Sequence, residues 1–226
     1  MALWNPEGVL SLTDTNVKAP NAVAAAAAND LQRHQVVMFG GANDFAGTTL
    51  FDTTSIFDGL RWSTPLVTAH PGERRQHAMV YDPVHDRVVL FGGRTKTGVL
   101  GDTWLWNGSA WSQPATPVAP TPRAFAAMAF DHARGRVILF GGSDDIKTLD
   151  DTWEWDGAAW SRVTTVNAPS TRLGAAFASD RPAWNVGDPQ VVGVTATSSL
   201  ACRLFDHRSA AFRSSCTASD ALRSWS

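Results

Sequence analysis

Three markers recur along this chain on one period. Phe39-Gly40-Gly41, Phe91-Gly92-Gly93 and Phe140-Gly141-Gly142 stand 52 and 49 residues apart. Trp62, Trp111 and Trp160 close the segments TTSIFDGLRW, DTWLWNGSAW and DTWEWDGAAW and are 49 apart each time. Asp82, Asp131 and Asp180 keep the same spacing, with Arg74, Arg123 and Arg172 eight residues before them. A period shared by separate markers is the signature of a repeat architecture, and it limits the fold before composition is considered.

One period reads as four strands. RAFAAMAF (Arg123 to Phe130) is a small-residue apolar run suited to a crowded place, and DHARGR is a polar turn carrying Gly135. VILFGG is the β-branched, apolar kind of strand that is buried on both faces. After the loop SDDIKTLD, the alternation of Thr152-Trp153-Glu154-Trp155 puts both indoles on one face. Asp156-Gly157, like Asn107-Gly108 and Asp58-Gly59, supplies the left-handed backbone of a tight hairpin turn. A last strand runs from Trp160 to Val163. A lone four-stranded sheet of this size cannot bury its faces, whereas sheets stacked radially can, and a period near 50 with four strands predicts a propeller blade. Burying one Trp is worth about 4–6 kcal/mol at ~25 cal/mol/Å², so two or three per blade predict strong cohesion between blades.

An apolar strand, a double glycine, an aromatic and then Trp form a pattern that resembles the kelch repeat, in the bacterial style with D-T-W-x-W-D/N-G. Gly40-Gly41, Gly92-Gly93 and Gly141-Gly142 match the family's double glycine, and Trp62, Trp111 and Trp160 match its closing Trp. Phe57, Trp106 and Trp155 stand where the family usually has Tyr. The resemblance covers roughly residues 22 to 180. It implies an all-β, kelch-like β-propeller of four-stranded antiparallel blades, about three complete, with partial or degenerate units at either end. The units span 22–67, 75–117 and 123–166.

At the ends the pattern breaks. Leu3-Trp4-Asn5 resembles Leu105-Trp106-Asn107, so residues 1–11 read as the outer strands of a blade. Arg172 and Asp180 open a unit spanning 172–226 in which no Phe-Gly-Gly follows, and which reads as a degenerate fourth repeat or a non-kelch tail. Either the two ends close a small ring, or the chain is a piece of a larger ring; the six or seven blades common in the family favour the piece. Uncovered blade faces would then drive self-association.

Charge narrows the partners. Nineteen basic against twenty-one acidic side chains give a formal charge of -2, so no cationic field recommends nucleic acid. No apolar run approaches the ~20 residues of a membrane helix. MALWNPEGVL lacks the charged head and apolar run of a secretory signal, although bacterial relatives of this type are often secreted. Two cysteines, Cys202 and Cys216, lie in the tail and leave the compartment open.

Candidate sites are few. Arg74, Arg123 and Arg172 would enter successive first strands and form an arc at the channel mouth. There the resemblance implies a pocket for acidic peptides, since a guanidinium pairs bidentately with a carboxylate. The opposing reading has these arginines bonding backbone carbonyls to tie blades together, and their strict repetition favours it. Asp144, Asp145, Asp150 and Asp151 could supply oxygens to calcium, but Asp102 repeats Asp151 without a second acidic pair, so a turn-capping role is the plainer one. The histidines do not cluster: Ala126 and Ala175 replace His77 one and two periods on, while His85 and His132 fall in turns. No spacing suggests zinc, and no metal or other cofactor is expected. The copper radical oxidases that resemble kelch rings need a Cys–Tyr cross-link, and Tyr81 is the one tyrosine. The sialidase box is also absent. The resulting expectation is a non-enzymatic module binding a protein segment or a carbohydrate. The alternative is a cofactor-free sugar epimerase or lyase using Glu73 beside Arg74.

Overall fold

The computed structural model describes residues 19–164, 169–175 and 177, together with the backbone of four two-residue strands outside them. In chain order these strands begin with β1 (Leu3–Trp4) and β2 (Leu10–Ser11), an antiparallel pair. The first large sheet is β3 (Ala26–Asp30), β4 (Gln35–Phe39), β5 (Thr54–Phe57) and β6 (Trp62–Ser63). The second is β7 (Ala78–Asp82), β8 (Arg87–Phe91), β9 (Thr103–Trp106) and β10 (Trp111–Ser112). The third is β11 (Ala127–Asp131), β12 (Arg136–Phe140), β13 (Thr152–Trp155) and β14 (Trp160–Val163). Near the C-terminal end of the chain lies a further antiparallel pair, β15 (Phe205–Asp206) and β16 (Ala211–Phe212).

Each large sheet is an antiparallel meander in sequence order, and the described residues contain no helix. The first strands β3, β7 and β11 lie against their neighbours in adjacent sheets, so the sheets converge at that edge. They do not close on one another, and the architecture is that of propeller blades in a partial ring. The second strand carries the core. In β8, Val88, Val89, Leu90 and Phe91 are all essentially buried, because Val88 and Leu90 pack towards the first blade and Val89 and Phe91 towards the third. Alternation along a strand with a neighbour on both sides leaves no polar face.

The first strands begin later than the apolar run suggests. RAFAAMAF is not one strand from Arg123; β11 starts at Ala127, and Phe125 has a φ of 59°. The cause is a hydrogen-bonded belt. Gln76 N–H donates to Ala24 O at 2.8 Å, Phe125 N–H to Gln76 O at 2.9 Å, and Gly174 N–H to Phe125 O at 3.0 Å. All four belt residues have positive φ, from 56° to 65°. A left-handed backbone costs a non-glycine residue of order 1 kcal/mol or more. Here it turns one N–H and one C=O along the line that joins the blades.

The tryptophans cement the seams. Trp106, Trp111, Trp155 and Trp160 are 1–3% exposed. Trp111 Nε1 donates to Thr54 Oγ1 in the preceding blade at 2.9 Å, and its ring meets Phe39 edge-on at 5.4 Å. Trp160 repeats both contacts, to Thr103 at 2.9 Å and Phe91 at 5.4 Å. Trp111 and Trp160 thus bury a large apolar surface while their one polar atom stays bonded.

Candidate functional site

The repeated arginines, candidates for ligand binding by sequence, have specific surroundings. Arg74 and Arg123 are 2% and 0% exposed. Arg74 donates from both terminal nitrogens to Asp102, at 2.7 and 2.8 Å, and also to Gly92 O at 3.0 Å and Gly72 O at 3.0 Å. Arg123 repeats this on Asp151, at 2.5 and 2.9 Å, and on Gly141 O and Thr121 O. The same aspartates accept the indole N–H of Trp104 and Trp153 at 2.7 Å each.

The main chain of each arginine bonds the blade before. Arg74 N–H donates to Phe51 O and Gly41 N–H donates to Arg74 O; Arg123 does the same with Leu100 and Gly93. One residue therefore holds two blades, backbone to the earlier and guanidinium to the later. The glycine pair permits it: a Cβ on Gly92, whose φ is +65°, would lie 2.5 Å from Arg123 O. Burial alone would raise the Asp102 and Asp151 carboxyls, but the arginine hydrogen bonds and charge, with the indoles, hold both below the ordinary range.

In this geometry a ligand carboxylate would have to displace Asp102 or Asp151. Asp151 thus pairs with an arginine rather than serving its own turn alone. Arg172 starts the next unit, with its N–H on Leu149 O and its carbonyl accepting from Gly142. It is partly buried, and its Nε has no partner among the described residues. Glu73 is exposed. The first blade lacks the whole group: Ala22, Thr53 and Ser55 stand at the positions of Arg, Asp and Trp. Across the three described blades the motif is present or missing as a unit, as expected of a buried charge and its partners.

Sequence reasoning missed what lies at the accessible end of the blades. In a four-stranded meander the second-to-third connections and the links between blades share one end. Of the exposed large apolar side chains, Phe45 (84%) and Ile146 (92%) sit on second-to-third connections, and Leu66, Val118 and Leu173 on links or the entry that follows them. Among the described residues, Leu60 and Val84 occupy the opposite turns, and Phe177 follows the third blade. Both apolar loops are gripped from the second blade. Arg75 donates to Phe45 O at 2.7 Å, and Arg94 forms an ion pair with Asp145, beside Ile146. Asp44 and Asp144 stiffen the loop tips by accepting backbone N–H bonds, which lowers both carboxyls despite their exposure. The signal was available: Phe45 and Ile146 are bulky apolar residues inside otherwise polar loops.

The blade geometry, the double glycine and the seam-filling indoles define a kelch-type propeller. A family model described as the KLHDC2/KLHL20/DRC7 Kelch-repeats domain matches residues 13–187, and the chain belongs to the kelch-repeat family. No curated protein matches it. Kelch domains generally mediate protein–protein interaction, so membership points to a protein-interaction module.

Proposed function

We propose that this chain is a non-enzymatic module that binds a protein segment across the loop end of its blades. The observation that supports this is the pair of anchored apolar tips: Phe45 and Ile146 are exposed, yet their loops are fixed by Arg75 and Arg94. Exposed apolar side chains on a pre-organised loop suit binding, because less ordering entropy opposes association. A sugar would stack on an open indole face; Trp106, Trp111, Trp153, Trp155 and Trp160 are buried, and Trp62 and Trp104 are partly buried. The epimerase or lyase alternative needs Arg74, whose guanidinium is engaged by Asp102.

The test is selection of peptides from a displayed library on the full chain, followed by affinity measurement on variants. Phe45→Ser with Ile146→Ser should weaken the selected peptides at least tenfold, while Leu60→Ser with Val84→Ser at the other end should not. Equal loss in both double variants, or no enriched peptide, overturns the proposal.

A second reading concerns self-association. Phe57 and Trp62 of the first blade are only partly buried, where their counterparts Trp106, Trp111, Trp155 and Trp160 are 1–3% exposed. A second copy could cover that face. Sedimentation should then show a concentration-dependent dimer that Trp62→Ser abolishes, and a monomer at all concentrations would reject it.

A further inference from the structure

One buried titratable group is used by neither the seam ties nor the loop end. His77 precedes β7 and is 6% exposed, at the seam between the first and second blades. Its ring meets Phe39 of the first blade edge-on, with centroids 5.8 Å apart. The two glycine pairs enclose it: a Cβ on Gly40 would sit 3.2 Å from His77 Cε1, and one on Gly93 would sit 2.7 Å from His77 Cβ. Neither ring nitrogen makes a well-formed hydrogen bond. The charged groups facing it are Arg74 and Asp102, already closed on each other in a bidentate pair. The corresponding position at the next seam is Ala126.

We propose that His77 makes the seam between the first and second blades an acid-sensitive latch, closed around the neutral imidazole and opened when the ring takes up a proton. The chemistry is that of a cation without a counter-ion. A protonated ring would need an acceptor for a second N–H, in a wall built from Phe39 and glycine backbone, beside a guanidinium. Opening the seam lets water solvate it. Burial first, and then the Arg74 charge, hold the imidazole proton affinity down to about 3, against a weaker pull from the Phe39 main chain and Asp102.

The folded value lies below the unfolded one, near 6.5, so the open state binds more protons between them. The closed seam is therefore favoured at neutral pH, and opening gains up to tenfold for each pH unit below about 6.5. The seam between the second and third blades, with Ala126 at this place, has no such sensitivity. This regulation is independent of what the loop end binds.

The experiment is hydroxyl-radical labelling of the full chain from pH 7.5 to 4.5, read residue by residue. Phe39 and Met79 report the first seam; Phe91 and Met128 report the second. Labelling of Phe39 and Met79 should rise as the pH falls while Phe91 and Met128 stay constant, and the rise should vanish in His77→Ala. His77→Phe, which keeps a ring against Phe39, serves if the alanine variant does not fold. A rise at both seams, a rise that survives in the variant, or no rise at all overturns the latch.

Discussion

Arg123 and Asp151 lie 28 residues apart in sequence and meet through two parallel hydrogen bonds, while the Arg123 backbone is bonded to Leu100 and Gly93 of the blade before. A fully buried guanidinium is tolerable only because each of its donors finds an oxygen within the two blades it joins. Arg123→Met leaves Asp151 without its cation and should destabilise the chain by about 3–5 kcal/mol. The double variant Arg123→Met/Asp151→Leu should recover a large part of that loss. Urea denaturation of the two singles and the double completes the cycle, and strict additivity would show that the pair does not act as a unit.

The Trp160–Thr103 bond predicts a small effect with a clear sign. Thr103→Val keeps the shape but strands the buried indole N–H, which costs about 1–3 kcal/mol. Thr103→Ser keeps the acceptor and should cost less. Urea midpoints that rank serine below valine would refute the role assigned to the hydroxyl.

Gly92 offers a steric test. Its φ of +65° and the 2.5 Å approach of Arg123 O leave no room for a methyl group. Gly92→Ala should cost more than ~3 kcal/mol, beyond what left-handed strain alone supplies. Gly59→Ala shares the positive φ but meets nothing within 4 Å, so it should cost only about 1–2 kcal/mol. Thermal melts that fail to separate the two would count against close approach as the reason for the double glycine.

Acid should act in two windows. The His77 penalty accumulates as the pH falls from about 6.5. The Asp102 and Asp151 carboxyls have folded values below their unfolded ones, so their stabilisation is complete above about pH 4 and is lost as the pH falls through the lowered values. Urea midpoints measured from pH 7.5 to 2 should fall in two phases, and His77→Ala should remove the upper one alone.

Much of the fold was legible because repetition multiplies weak signals. The double valine of β8, the Asn107-Gly108 turn and the Trp106/Trp111 pair would each be ambiguous once; at a period of 49 they fix the blade. The arginines show the limit. Spacing placed Arg74 and Arg123 at blade entries, but it could not say whether they faced a channel or a partner inside the protein. In sequence Asp102 and Asp151 look like turn caps, because their pairing with the arginines spans 28 residues and follows no local pattern.

The belt through Ala24, Gln76, Phe125 and Gly174 was illegible for a related reason. Nothing in Ala24, Gln76 or Phe125 predicts a left-handed backbone, and only the bond to the neighbouring blade explains it. The loop end divides in the same way: the sequence shows two bulky apolar residues in polar loops, and the structure shows that Arg75 and Arg94 hold those loops.

Local chemistry alone determined the four-strand unit, its turns and its recurrence, since strand alternation and turn conformation depend on residues a few positions apart. The tertiary structure decided which charges are sealed and which apolar tips are presented, because burial depends on what the next blade brings. A guanidinium against solvent and one against a carboxylate have the same neighbours in sequence and opposite consequences for binding.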